Sequence, residues 1–481
     1  MNKYITITII TLSVLLTGVQ QSFSQGNVHV PLGKGIDFHT FLITNGIRDD
    51  NIFNTEGFGF PPSEKADRAA AGNSPSLNET KDEILSITPG ILVSYPHGWL
   101  EADRWDITNG IIRDYSVAQP IEKGLTFRAG YAPELRYYDD NAGENVQRHR
   151  GDTTLGYKFG NGLDISFKDR YIDTDSPASQ DTDVRIPNKN NLASLSISIP
   201  FFFEKLKTEL HYSNEEVEFE QVSKADRGVA NRNESIVGAK LSSALISWLP
   251  KMYFELKYDF GQNNFEEDRN KNEELINSDS HFHDIRGGIT WQGTGKTSIT
   301  FDAGFRNRDY NVTTAEDFKG FVTSLSANIE DIIVPLPSIF RFKLDNLNIS
   351  AGRRQIEASF TQNFIEAENE INSSFTETNE IKMRLRKDIP GFLFVDEISF
   401  SPKASYNRTR NSGKVVVGTE IDPSGFVRRR DEIWEAGAAV QFVLNKYSAF
   451  EIRYDHRDRD SNNDAEDNRV NLLTFGVGFS Y

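Results

Sequence analysis

Gly293-Thr294-Gly295-Lys296-Thr297-Ser298 is the run in this sequence that comes nearest to a phosphate-binding motif. A phosphate cradle of that type needs another Gly five positions before the Gly-Lys pair, and a helix after it whose backbone N–H groups converge on the anion. The earlier position is Thr290, and the chain after the run alternates as Ile299, Phe301, Ala303 and Phe305. The run therefore reads as a hairpin turn between two strands. Asp458, Asp460, Asn462 and Asp464 have the spacing of a calcium loop, but its sixth position is Asn463 instead of Gly and its twelfth is Arg469 instead of Glu. A solvated acidic connection is the plainer reading, with loose divalent-ion bridging to lipopolysaccharide phosphates as the alternative. His281 and His283 share a strand face beside Asp284, without an evident third ligand, so no metal is expected. There is no Gly-x-Ser-x-Gly elbow, and no carboxylate pair or Ser/His grouping can be placed. Neither a cofactor nor an enzymatic activity is expected.

The basic residues are more informative. Ile381-Lys382-Met383-Arg384-Leu385-Arg386 puts three cations on one face of one strand, and Phe340, Phe342 and Leu344 oppose Arg341 and Lys343 in the same way. If the two strands are near neighbours, Arg341, Lys343, Lys382, Arg384 and Arg386 form a basic stripe on an otherwise acidic chain. Arg128, Arg136, Lys168 and Arg170, with Lys207 and Lys257, fall on the polar faces of their own segments. Rows of Arg and Lys lining a pore favour the passage of anions. Glu134, Glu209, Glu255 and Glu451 allow a second reading, a mixed network that braces the wall.

The elements that would hold these charges are strands. Leu125, Phe127, Ala129, Tyr131, Leu135 and Tyr137 alternate with Thr126, Arg128, Gly130, Glu134 and Arg136. The same period of two recurs in residues 163–170, 252–260, 434–444 and 450–455, so each segment offers one apolar and one wet face. Alternating segments of this kind number about 18, with 16 to 20 allowed, and never give way to helices. Their connections also alternate. Short turns near 160–162, 203–204, 249–251, 292–296, 388–391 and 445–447 take turns with long polar stretches at 174–189, 213–232, 261–280, 309–317, 367–375, 410–428 and 456–468. Short periplasmic turns and longer extracellular loops are the habit of transmembrane barrels. Two stretches fit less well. Residues 96–123 are too long for a turn, and could be an inward fold, a periplasmic element or two further short strands; 331–352 contains a Pro-x-Pro break.

Both chain ends point the same way. Lys3 precedes an apolar run over residues 5–19, and Ser22-Phe23-Ser24 supplies small residues before Gln25, the layout of a secretory signal peptide over 1–24. No Cys follows that run to carry a lipid anchor. At the other end Leu473, Phe475, Val477, Phe479 and Tyr481 alternate with Thr474, Gly476, Gly478 and Ser480. A closing strand of this form resembles the terminal signal by which outer-membrane proteins are recognised by their assembly machinery. The chain has no Cys, so its stability must come from its own hydrogen-bond ladder rather than from disulfides. A net charge of −17 argues against a nucleic-acid partner. The 34 Phe and 16 Tyr suit aromatic girdles at two membrane interfaces.

Gly46-Ile47-Arg48-Asp49-Asp50-Asn51-Ile52-Phe53, followed by Ile84-Leu85-Ser86-Ile87-Thr88-Pro89-Gly90-Ile91, resembles the opening of a family of β-barrel porins often encoded with exopolysaccharide export genes. In that family an Asp-Asn-Ile-Phe-like turn leads to a strand carrying Pro-Gly. The resemblance covers about 50 residues together with the general barrel pattern, and the sequence departs from it after Tyr95. It implies an outer-membrane barrel and a link to polysaccharide. The expectation is an all-β chain, a signal peptide at 1–24 and one transmembrane antiparallel barrel at 25–481. Its role would be to pass or export polar, anionic solutes or polysaccharide across the outer membrane, in contact with its lipid and lipopolysaccharide. The rivals are a plugged barrel that binds at the surface and an enzyme sited in the lumen.

Overall fold

A computed structural model describes residues 35–50, 81–102, 107, 115–117, 121–140, 145–174, 188–201, 206–219, 231–243, 251–265, 279–294, 297–311, 317–334, 342–356, 376–391, 395–415, 427–461 and 468–480. The signal peptide, Arg341, Asn462 to Asp464 of the acidic connection and the terminal Tyr481 lie outside these residues.

Every regular element described is a strand. The first are β1 (Asp37–Asp49), β2 (Asp82–Tyr95), β3 (Leu100–Ala102), β4 (Tyr115–Val117), β5 (Gly124–Tyr138) and β6 (Val146–Lys158). Next come β7 (Asp164–Thr174), β8 (Asn188–Phe201), β9 (Leu206–Phe219), β10 (Arg232–Ser243), β11 (Met252–Phe265), β12 (Ser280–Thr294) and β13 (Thr297–Tyr310). The last are β14 (Phe318–Val334), β15 (Phe342–Ile356), β16 (Thr376–Pro390), β17 (Glu397–Val415), β18 (Val427–Asn445), β19 (Ser448–Ser461) and β20 (Asn468–Ser480).

All but β3 and β4 belong to one 18-stranded antiparallel sheet. Each strand pairs with the next, β2 passes directly to β5, and β1 pairs with β20 from Phe41↔Ser480 to Asp49↔Leu472. Among the described residues the pairings of the large sheet thus run round in a ring, so each of its strands has a partner on both sides. The middle of the expected range of strand number is met. Thr294 ends β12 and Thr297 opens the antiparallel β13, with a register shift between Gln292 and Thr294; Gly295 and Lys296 lie outside the described residues.

Alternation separates the two faces. One face exposes Leu125, Tyr131, Phe167, Leu195, Leu210, Leu256, Tyr258, Ile285, Phe301, Phe305, Leu325, Ile381, Phe400, Trp434, Tyr454 and Phe475. These large apolar side chains stand on the outside of the ring. The charged and small polar residues between them face inward.

The ambiguous stretch after Tyr95 contains β3 and β4, which pair with each other in a separate two-stranded sheet. It returns into the ring. Asn45 Nδ2 donates to the Ile107 carbonyl at 3.0 Å, and a Cβ on Gly476 would collide with the Ile107 side chain. Ile107 is fully buried with Phe41, Ile43, Ala132 and Ala449, all at inward positions of the wall. Leu100 packs on Leu92 with Trp99 beside them, and the Gly98 N–H donates to Asp37 at 2.8 Å. Of the three forms the sequence allowed, the described residues combine two short strands with an inward fold.

Several strands run further than the alternation of apolar residues suggested. β9 continues to Phe219, β11 to Phe265, β17 to Val415 and β19 to Ser461, into stretches that read as long polar connections. Beyond an apolar belt, a strand needs only its hydrogen-bond ladder and not a greasy face, so its sequence there looks like loop.

Candidate functional site

Many charged groups converge on the inner wall, and the strand registers fix its membership. Lys382, Arg384 and Arg386 lie on the inward face of β16, opposite in parity to the exposed Ile381 and Met383. Across β17 they meet Ser405, Lys403 and the neighbourhood of Ser399. Arg386 is tied down: its Nε contacts Asp388 at 2.6 Å, and its Nη2 reaches Ser399 at 2.7 Å and Glu397 at 3.5 Å. Lys382 pairs with Glu380. Arg384 is exposed and has no ion-pair partner among the described residues, although it stands directly across from Lys403.

Lys403 reaches past β18 to Asp455 on β19, 2.8 Å away. Gly437 is the reason it can. It lies across from both Lys403 and Asp455, and a Cβ there would run into the Asp455 carboxylate and approach Lys403 Cε at 2.9 Å. Asp455 also receives Arg453 at 2.6 Å. Arg457 and Arg459 continue the same face of β19, with Arg459 held to Asp431 at 2.6 Å in a fully buried pair. A basic ladder on the inner wall therefore spans β16, β17 and β19, braced by Asp388, Glu397, Asp455 and Asp431.

The structure does not bring Lys343 into this ladder. In the β15–β16 register, Asn346, Asn348 and Ser350 stand across from Arg386, Arg384 and Lys382. Lys343 has the other parity, that of Leu347 and Ile349, and pairs with Ile333 on β14. The sequence hides this because its apolar positions change parity inside β15, from Phe342 and Leu344 to Leu347 and Ile349.

Arg128 pairs with Asp152 at 3.1 Å, and Arg136 with Glu134 at 2.8 Å. Glu134 further accepts from Ser86 at 2.7 Å and faces Arg148 at 3.6 Å. Lys168 and Arg170 are exposed on the inward face of β7, opposite in parity to Phe167. A third group, on β9 to β13, joins His211, Asp259 and Lys257 at 2.8 and 2.7 Å, with His211 reaching Asp259 over Gly238. Beside it Asp284 holds Arg286 and Arg306 at 2.6 Å each. Arg306 and Arg308 cover the buried ring of Phe282 at 4.8 and 4.7 Å. Asp284 and His283 are consecutive strand residues and so face opposite ways; His283 lies outside, bonded to the Tyr258 hydroxyl at 2.8 Å. Among the described residues no group of three His, Asp or Glu could hold a metal.

Lys403, the β19 arginines and the Asp284 cluster are wall residues that the sequence does not announce. Arg453 and Asp455 sit on a legible wet face, but the alternation through Arg457 and Arg459 looks like a connection. Pro402 interrupts the pattern around Lys403.

No protein-family model matches this chain, and no curated protein matches it. Among solved structures it is similar to OccAB4 of Acinetobacter baumannii, at 9% identity over 94% of this chain and 99% of that one, with a TM-score of 0.43. It is also similar to OpdK of Pseudomonas aeruginosa, solved with vanillate, at 7% identity over 92% and 99% of the two chains and a TM-score of 0.42. The siderophore receptor PirA of the same organism gives 7% identity, 93% and 80% coverage, and a TM-score of 0.40. At these values the similarity bears on neither family nor solute, and the architecture rests on the strand pairings.

Proposed function

We propose that this protein is an outer-membrane channel for small polar anions. The observation that carries the reading is the division of one closed ring into two surfaces, an apolar outer belt and a charged inner wall. Soluble sheets bury their apolar face; here the large apolar side chains are the exposed ones, which suits contact with lipid. A barrel of this strand number has room for water inside unless a segment fills it. The inward fold at Ile107 occupies part of the interior beside β19, β20, β1, β2 and β5, meeting β19 at Ala449 near its start, while the ladder lies on β16, β17 and further along β19 at Arg453 to Arg459.

The ladder supplies the preference for anions. Arg384 is an exposed cation, and Lys403 and Arg453 share the single carboxylate of Asp455. Cations aligned along a wall lower the barrier for an anion passing from one to the next. The resemblance to barrels of exopolysaccharide operons suggests a polymer as cargo. Polymer tracks generally offer open aromatic faces, whereas the inward Phe41, Tyr138 and Phe282 are all buried, so small anions are the favoured class. The test is the reversal potential of the refolded protein in a planar bilayer under a KCl gradient. Chloride selectivity is expected; cation selectivity would mean that the wall carboxylates govern passage.

A further inference from the structure

A second set of cations stands on the inner wall away from the ladder, on β5 to β7. Glu134 and Asp152 are the inward carboxylates of β5 and β6, and both are engaged. Arg136 holds Glu134 at 2.8 Å with Arg148 facing it at 3.6 Å, and Arg128 holds Asp152 at 3.1 Å. The register places Arg170 of β7 directly across from Asp152, yet that carboxylate pairs with Arg128. Lys168 and Arg170 thus remain on the inward face of β7 as exposed cations with no ion-pair partner among the described residues. Two residues of strand separate them, roughly 7 Å, so both long side chains can reach a single group between them.

The wall next to these cations is lined by hydroxyls. Thr154 of β6 and Ser194 of β8 lie across from Lys168 on its two sides, and Ser196 lies across from Ser166 in the next row. Ser213 of β9 stands across from Ser194. Ser194 and Ser196 have the parity opposite to the exposed Leu195, so they face inward with the cations. Carboxylates are scarce here. β8 has none along its whole length, and Asp164, on the same face of β7, is four residues from Lys168 at the short-connection end. Glu215, across from Leu192 in the row of Arg170, accepts from Asn190 at 2.6 Å.

From this arrangement we infer that β6 to β8 hold a binding station for a phosphorylated polyol of the sugar-phosphate class, with the phosphate between Lys168 and Arg170 and the sugar hydroxyls on Ser194, Ser196 and Thr154. A phosphate monoester carries about −1.5 to −2 of charge at neutral pH, which two cations balance. The guanidinium fork of Arg170 matches its oxygens, and Lys168 adds a compact charge. A Ser or Thr hydroxyl both donates and accepts, as the hydroxyls of a polyol do. The inference rests on the reading of this face as the wall of an anion channel, and names its solute class.

The test is equilibrium binding of glucose 6-phosphate, inorganic phosphate and glucose to the full mature chain folded in detergent micelles at low salt. Glucose 6-phosphate is expected to bind more tightly than inorganic phosphate, and glucose not to bind. Lys168→Gln with Arg170→Gln should weaken glucose 6-phosphate by about thirtyfold, at roughly fivefold per cation for one negative charge about 4 Å away in water. Ser194→Ala with Ser196→Ala should weaken it by about tenfold, at roughly threefold per neutral hydrogen bond, and leave inorganic phosphate within about twofold. Lys319→Gln with Arg469→Gln removes the same charge from the outward face and should leave both ligands within about twofold. Heat-modifiable gel mobility checks that each variant is folded. Equal affinity for glucose 6-phosphate and inorganic phosphate would overturn the solute class. No binding to the folded wild type, or equal loss in the two charge variants, would overturn the site. Binding in micelles is read without a current, so an electrically silent bilayer would contradict the channel reading and not this site.

Discussion

Replacing Arg384 by Gln removes one inner-wall cation and exposes no carboxylate, because no partner of Arg384 is present among the described residues. An anion passing about 5 Å from that guanidinium, in water of dielectric about 80, gains about 0.8 kcal/mol, which is about fourfold in local concentration. Salt reduces the gain: with a screening length of about 10 Å at 0.1 M and 3 Å at 1 M, the effect is roughly twofold at low salt and roughly 1.3-fold at high salt. The anion-to-cation permeability ratio from reversal potentials should therefore fall by about half at 0.1 M KCl and change little at 1 M. Arg386→Gln should do more than Arg384→Gln, since it uncovers Asp388 and Glu397 and turns a braced cation into an acidic sector. An Arg384→Gln channel whose selectivity is unchanged at low salt, or changed equally at both concentrations, would refute the ladder as the source of selectivity.

Other parts of the structure make separate predictions. The chain contains no Cys, so a single introduced thiol reports its own surroundings: Ile107→Cys, fully buried, should react with a maleimide at least tenfold more slowly than Val117→Cys, which is 53% exposed, in a stopped labelling assay scored by mass (about tenfold being the scale of a buried-site opening cost of roughly 1.4 kcal/mol). Gly437→Val should destabilise by about 1–3 kcal/mol through overpacking against Asp455 and Lys403, read by urea unfolding from vesicles. Gly46→Val, where an added Cβ meets nothing within 4 Å, is the silent control. Asp431→Ala strands the buried Arg459 and should cost about 3–5 kcal/mol, while the double variant with Arg459→Leu should recover most of it, which a double-mutant cycle measures. Leu256→Arg, on the middle of the outward face, should cost about 2–4 kcal/mol in the same vesicle unfolding assay.

The barrel is legible wherever a segment has to present one greasy and one wet face, because a period of two comes directly from the pleat. The closing strand from Leu473 to Phe479 shows it most plainly, and the parity of long and short connections places the hairpins. Legibility ends where strands leave the belt. Past Tyr454 nothing requires apolar residues, so Arg457 and Arg459 read as loop although they continue the inner face of β19. The inward fold is obscured for a different reason: β3 and β4 are three residues each, too short for any period to appear. Its trace in the sequence is indirect, in the small inward residues Gly476, Ala132 and Ala449 that make room for Ile107. Lys343 is misassigned in the sequence reading because the apolar positions change parity between Leu344 and Leu347, within β15 itself.

The site is legible as a class of chemistry but not as a geometry. Lys382, Arg384 and Arg386 can be read off one strand, since three cations at alternate positions must share a face. Which of them is braced depends on partners from β17, and the link from Lys403 to Asp455 depends on a glycine in the strand between them. Such cross-strand pairs are set by register, which a single sequence does not reveal.

The central claim is an aqueous path through the ring, and the most direct measurement is the single-channel conductance of the refolded, heat-modifiable protein in a planar lipid bilayer. Steady, long-lived openings that favour chloride are the predicted result. An electrically silent bilayer holding correctly folded protein would contradict the claim, and would mean that the inward fold around Ile107 closes the lumen.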